Sequence, residues 1–76
     1  MVTAYVLVKA NTSEADRLRE EVAAVEGVVD AHIVAGDVDL IAKISVDSPA
    51  QVKEIAANSF QSIDGVESTE TYIGMN

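Results

Sequence analysis

The sequence predicts an α+β fold in which two βαβ units follow one another to give βαββαβ. Three observations predict it. The chain repeats itself, without a gap, at an offset of 38 residues. Each half passes from a two-residue alternation to a three-and-four periodicity and back to alternation. A glycine stands at the end of each helical stretch, where a left-handed residue is needed.

The repeat is carried by apolar positions and glycines together. Val2, Ala4, Val6 and Val8 fall on Leu40, Ala42, Ile44 and Val46. Val22 and Val25 fall on Phe60 and Ile63, Glu26-Gly27-Val28 on Asp64-Gly65-Val66, and Gly36 on Gly74. The two halves are therefore expected to share one local structure.

Residues 2–10 alternate and predict a strand, with Tyr5 and Leu7 on the face opposite the valines. Asn11, Thr12 and Ser13 offer side-chain oxygens to start a helix, and Glu14 and Asp16 suit its first turn. Ala15, Leu18, Val22 and Val25 form one apolar stripe, and Gly27 ends it. Residues 28–35 predict the second strand, and Gly36-Asp37 a tight hairpin turn. In the second half, residues 39–46 predict a strand. Asp47-Ser48-Pro49 reads as a cap with proline at the first helical position. Val52, Ile55, Ala56, Phe60 and Ile63 make the stripe, Gly65 ends it, and residues 66–73 predict the last strand.

The resulting plan is ferredoxin-like: a four-stranded antiparallel sheet with the first and third strands in the centre and both helices on one face. Ala4, Val6, Val8, Val29, Ala31, Ile33, Ala42, Ile44 and Val46 are expected under the helices. The other face has no helix. It takes Tyr5, Leu7, Val28, Val34, Ile41 and Tyr72, mixed with Thr3, Asp30, His32, Lys43 and Glu70. That mixture is too apolar for open water and too polar for a core, so two sheets are expected to pack face to face, as a dimeric α+β barrel, with Tyr5, Leu7, His32, Ile41 and Tyr72 at the interface.

Length and composition support association. A chain of 76 residues is one domain, 1–76, and hides only about 60% of the surface its unfolded form exposes. Disulfides, metals or partners commonly make up such a deficit. The absence of cysteine removes disulfides and thiol catalysis, and the single histidine, His32, cannot build a histidine-rich metal site within one chain. No metal or cofactor is expected. The net charge of −8 argues against nucleic acid, which demands clustered Lys and Arg. It reads as a solvated acidic surface; few lysines and many small residues also match adaptation to a salty, halophilic cytoplasm. The apolar start, residues 1–10, is too short to span a membrane and has no basic leader, so a cytoplasmic protein is expected.

On these residues the chain resembles the effector-binding and oligomerisation module, the RAM domain, of Lrp/AsnC-type transcriptional regulators. The resemblance rests on βαββαβ order at this length, on Val34-Ala35-Gly36-Asp37-Val38-Asp39-Leu40, and on Ile63-Asp64-Gly65-Val66. The family's G-x-x-D turn is met by Gly36 and Asp39, and its alternating threonines in the last strand by Thr69 and Thr71. Full-length members begin with a helix-turn-helix; here the sequence opens on the first strand, so the resemblance implies a stand-alone module without its own DNA contact. It implies dimers assembled into larger rings, an amino-acid effector bound between dimers by Gly36, Asp37, Val38, Asp39, Thr69 and Thr71, and co-assembly with a full-length regulator. A glycine turn leaves amide donors open to a carboxylate, and an aspartate accepts from an α-amino group. The plainer reading is also open: Gly36-Asp37 makes a hairpin and Asp39 is solvated.

Other side chains carry less. His32 lacks partners for catalysis, no acidic loop has calcium-ligand spacing, and no serine has a nucleophile context. An enzyme of dimeric-barrel type would need polar groups between sheet and helices, and that face reads Val, Ala, Ile and Leu. A regulatory binding module is expected, with a ligand-free oligomerisation scaffold as the alternative.

Overall fold

The computed structural model describes residues 1–11 and 13–75. The elements are β1 (Val2–Ala10), α1 (Ala15–Ala23), β2 (Val28–Ile33), β3 (Leu40–Val46), α2 (Pro49–Glu54), a π-helical continuation of α2 over Ile55–Phe60, and β4 (Val66–Ile73). The four strands form one sheet in the order β2-β3-β1-β4, antiparallel throughout. This is the expected ferredoxin-like arrangement, with β1 and β3 central.

Alternation in the central strands sends Ala4, Val6 and Val8 of β1 and Leu40, Ala42 and Ile44 of β3 to one buried side. Leu18 and Val22 of α1, and Val52, Ile55, Ala56 and Phe60 of α2 and its continuation, close over them. Phe60 is the largest of these side chains and is fully buried. The wider π turn brings Ile55 and Phe60, five residues apart, onto the same buried side.

Both helix exits follow the sequence expectation. Gly27 and Gly65 take φ of 100° and 102°, the left-handed conformation that a Cβ disfavours. Gly27 has a second reason to be glycine: a Cβ there would lie 2.8 Å from Ile55 Cδ1 and 3.0 Å from Val46 Cγ1. The starts of the helices differ. Ser48 and Gln51 form a reciprocal capping box ahead of α2, with Pro49 behind the cap. At α1 the capping position falls on Glu14, not on Asn11 or Ser13; Thr12 lies outside the described residues. Arg17 reaches back to the Glu14 carboxylate at 3.6 Å and forward to Glu21.

Three expectations need correction. β2 carries a bulge: Val28 lies opposite Ile44 and Asp30 opposite Lys43, so Val29 is the extra residue. Val28 thereby packs on the core, not on the open face, and Val29 is 59% exposed, not covered by a helix. Ile33 is also exposed, because β2 is an edge strand. Finally, β2 stops at Ile33, and the link to β3 is the loop 34–39, closed by Val34 N–H donating to the Asp39 carbonyl at 3.0 Å. It is wider than a tight Gly36-Asp37 hairpin. A second bulge interrupts the β1–β4 pairing, where Lys9 and Ala10 face Ser68 and Val66 and leave Glu67 over.

Candidate ligand site and open sheet face

The uncovered side of the sheet presents two cross-strand rows. One runs Asp30, Lys43, Tyr5, Tyr72; the next runs His32, Ile41, Leu7, Glu70. All five residues expected at an interface therefore lie on this face. Leu7 and Ile41 are half-buried at its centre, while Tyr5 and Tyr72 are exposed. The polar groups pair with one another. His32 Nε2 lies 2.9 Å from Asp30 Oδ2, and the Tyr72 hydroxyl donates to Glu70. The hydrogen bond from His32 holds the Asp30 carboxyl below its ordinary range, and the bond to Glu70 pushes the Tyr72 hydroxyl up.

The loop 34–39 is anchored through Asp39. Its carboxylate Oδ2 accepts from Ala10 N at 2.9 Å, and its own N–H donates to the Val8 carbonyl at 3.0 Å. Gly36 and Asp37 are exposed, Val38 is half-buried, and no atom lies within 4 Å of where a Gly36 Cβ would sit. The loop backbone is thus open to an incoming molecule, while Asp39 also has a local structural task that its sequence position did not reveal.

Thr69 and Thr71 lie elsewhere. Opposite Val8 and Val6, they face the helix side of edge strand β4. There they border a groove of about 440 Å³ between β4 and α2, walled by Val52, Ala56, Ala57 and Ile73, with Lys53 and Gln61 also lining it. Gln61 Nε2 donates to Thr69 Oγ1 at 3.0 Å. The structure therefore gathers Gly36 to Asp39 in one place and Thr69 with Thr71 in another. β1 stands between them, so two inter-strand spacings, about 10 Å, separate their strands. Lys53, Ala57 and Gln61 were not singled out by sequence reading, since nothing local marks a helix residue as facing a groove. A second groove, of about 430 Å³, lies beside Gly27, Asp47 and Glu54. Among the described residues no three His, Cys, Asp or Glu side chains are grouped to hold a metal ion. No helix of the described residues is long and apolar enough to cross a membrane.

Residues 3–76 match the family described as the Lrp/AsnC ligand binding domain. The chain belongs to that family. An uncharacterized HTH-type transcriptional regulator of Pyrococcus abyssi is 27% identical over 77 residues, which cover 97% of this chain and 51% of the relative. The domain spans about half the length of the curated relatives it matches. Among solved structures, TTHA0845 from Thermus thermophilus superposes with a TM-score of 0.93 at 28% identity, covering 100% of this domain and 95% of that chain. A Neisseria meningitidis transcriptional regulator, solved as a complex with L-Met, superposes with a TM-score of 0.83 at 13% identity, over 99% of this domain and 50% of that chain. At that identity the likeness is one of fold.

Proposed function

We propose that this domain binds an amino-acid effector and assembles through its open sheet face, serving transcriptional regulation and not catalysis. The observation that carries this is the separation of two polar groups in a ligand-binding family member. The loop Gly36, Asp37, Val38, Asp39 leads into β3, the threonines Thr69 and Thr71 lie on β4, and β1 stands between them. Brought together from two copies, the loop supplies open amides and a carboxylate, and the threonines supply hydroxyls. Ligand binding and assembly are then one event, and an effector that prefers the assembled state shifts its population. The Neisseria regulator's L-Met complex supports an amino acid as the ligand class.

Assembly starts with a two-fold dimer of sheets across Tyr5, Leu7, His32, Ile41 and Tyr72, and continues to higher homo-oligomers. Each large side chain removed from water there contributes about 1.5–3 kcal/mol. The curated relatives are HTH-type regulators of about twice this length, so a full-length regulator is a fitting partner for the same face. With a net charge of −8, the domain leaves DNA to that partner and works in the cytoplasm. The tie from Asp39 to Ala10 favours a second reading, a ligand-free scaffold in which the loop is purely structural.

Thermal unfolding against a panel of free amino acids, at high and low salt, separates the readings. A ligand selective for the folded form stabilises it by about 2.7 kcal/mol at a hundredfold excess over Kd. A rise in midpoint that is lost in Asp37→Ala or Thr71→Val supports the effector reading. A panel with no rise leaves the scaffold. Leu7→Asp is expected to reduce the mass measured by light scattering to that of a monomer; an unchanged mass would move the interface elsewhere.

A further inference from the structure

The internal duplication sets the two helix-exit turns in equivalent surroundings at opposite ends of the sheet. The turn Asp64-Gly65 is tied to the end of β1, where Asn11 N donates to the Gly65 carbonyl at 2.7 Å. The turn Glu26-Gly27 is tied to the end of β3, where Ser45 N donates to the Gly27 carbonyl at 2.9 Å. At each turn the facing helix contributes the same repeat position, Arg17 in one case and Ile55 in the other. Arg17 Nη2 donates to the Asp64 carbonyl at 3.0 Å, and its guanidinium also pairs with Glu14 and Glu21. Ile55 reaches its own turn, since Cδ1 lies 2.8 Å from where a Gly27 Cβ would sit. The side chain ends there and carries no donor. The Glu26 carbonyl accepts no hydrogen bond among the described residues, and Glu26, Gly27 and Ile55 line a groove of about 430 Å³.

The charges of the two ends differ in the same sense. Lys9, Asp16, Arg17 and Asp64 at one end are matched at the other by Asp47, Glu54, Ile55 and Glu26, so the second end has carboxylates and no cation. Glu54 accepts from Asn58, but the Glu26 and Asp47 carboxylates make no ion pair or hydrogen bond among the described residues. Val46 and Ile55 add apolar lining. We propose that this groove is a docking site for an arginine side chain of a partner protein. The aliphatic stem lies on Val46 and Ile55, and the guanidinium meets the Glu26 and Asp47 carboxylates and the Glu26 carbonyl. The partner thus supplies from outside the group that Arg17 supplies from within at the other end. A second copy of this chain is not the occupant, because its two arginines, Arg17 and Arg19, are already bonded to carbonyls of their own domain. A planar fork can span several acceptors where an ammonium cannot, and the net charge of −8 draws a basic partner. The site shares no lining residue with the groove at Thr69 and Thr71, so it stands apart from the effector reading.

Amide chemical shifts of the isotope-labelled full chain test the site, read during titration with a blocked Gly-Arg-Gly tripeptide at low salt. The same tripeptide with citrulline or lysine in place of arginine, and free L-arginine, complete the panel. The arginine peptide is expected to move the amides of Glu26, Gly27, Ser45 and Asp47 and to leave those of Asp64, Gly65 and Lys9 in place. Equal shifts with the citrulline peptide would remove the charge argument, and equal affinity for the lysine peptide would remove the guanidinium. Free L-arginine binding here more tightly than the peptide would make the groove a free amino-acid site and overturn the assignment to a partner protein. No movement at these amides would overturn the proposal outright, with shifts in loop 34–39 left to report on the effector reading separately. Glu26→Gln and Asp47→Asn, both at exposed positions, are each expected to weaken the peptide about two- to fivefold, and Asp64→Asn to leave it unchanged. Unchanged affinity in the Glu26→Gln/Asp47→Asn double variant would also overturn the proposal. Ile55→Arg is expected to fill the groove from within and exclude the peptide; should that variant not fold, the double variant decides.

Discussion

The two halves of the molecule repeat one plan and differ in what the plan is used for. In the first, α1 is a regular helix of nine residues that buries Leu18 and Val22 and clasps β2 with Arg19. In the second, α2 begins with a capping box, widens into a π-helical turn and buries Val52, Ile55, Ala56 and Phe60. The exits match: both end on a left-handed glycine. The sheet pairing does not. Ala31 lies opposite Ala42, but its counterpart Thr69 lies opposite Val8 instead of Ala4. Turn chemistry survives duplication because it is local. Register and groove shape diverge because a few side chains in the opposing layer decide them.

The comparison can be broken at its most unequal pair. Phe60 and Val22 are counterparts, both fully buried. Phe60→Ala is expected to cost about 3–5 kcal/mol and Val22→Ala roughly 2 kcal/mol, read as shifts in urea unfolding. Equal losses would mean that the second helix carries no more of the core than the first. The glycines sharpen it next. Gly65→Ala should cost about 1–2 kcal/mol for the left-handed backbone alone. Gly27→Ala should cost more, because its Cβ also meets Ile55 and Val46; the reverse order would remove the packing role of Gly27. The smallest effect concerns acid. Asp30, bonded to His32, is matched in the repeat by Ser68, which has no carboxylate. Its folded-state pKa is lowered, so its contribution is present above the unfolded value, near about 3.9, and is lost as pH falls through the folded one. Asp30→Asn should flatten that part of the stability profile below about pH 4, as followed by circular dichroism.

The legible parts of the sequence were those with short-range signals. Alternation in β1 and β3 placed the central core, and Gly27, Gly65 and Ser48-Pro49 marked helix boundaries correctly. The bulge escaped because Val28-Val29 offers an apolar side chain to either face, so a one-residue shift leaves the pattern unchanged. The loop 34–39 escaped because Val34 and Val38 look like strand residues beside a glycine. Thr69 and Thr71 could be named from the family resemblance, but their separation from Gly36 and Asp39 depends on β1 lying between them.

The two bulges stand at one point of the repeat, Val29 in β2 and Glu67 in β4, and those are the two outer strands of the sheet. An outer strand ordinarily offers a row of unpaired amides on which a further chain can grow, and a bulge twists that row out of line. Here both margins are blunted by the same inherited kink. Strand-on-strand polymerisation is therefore disfavoured at either margin, which leaves the side chains of a sheet face, not its edges, as the surface on which a further copy could dock.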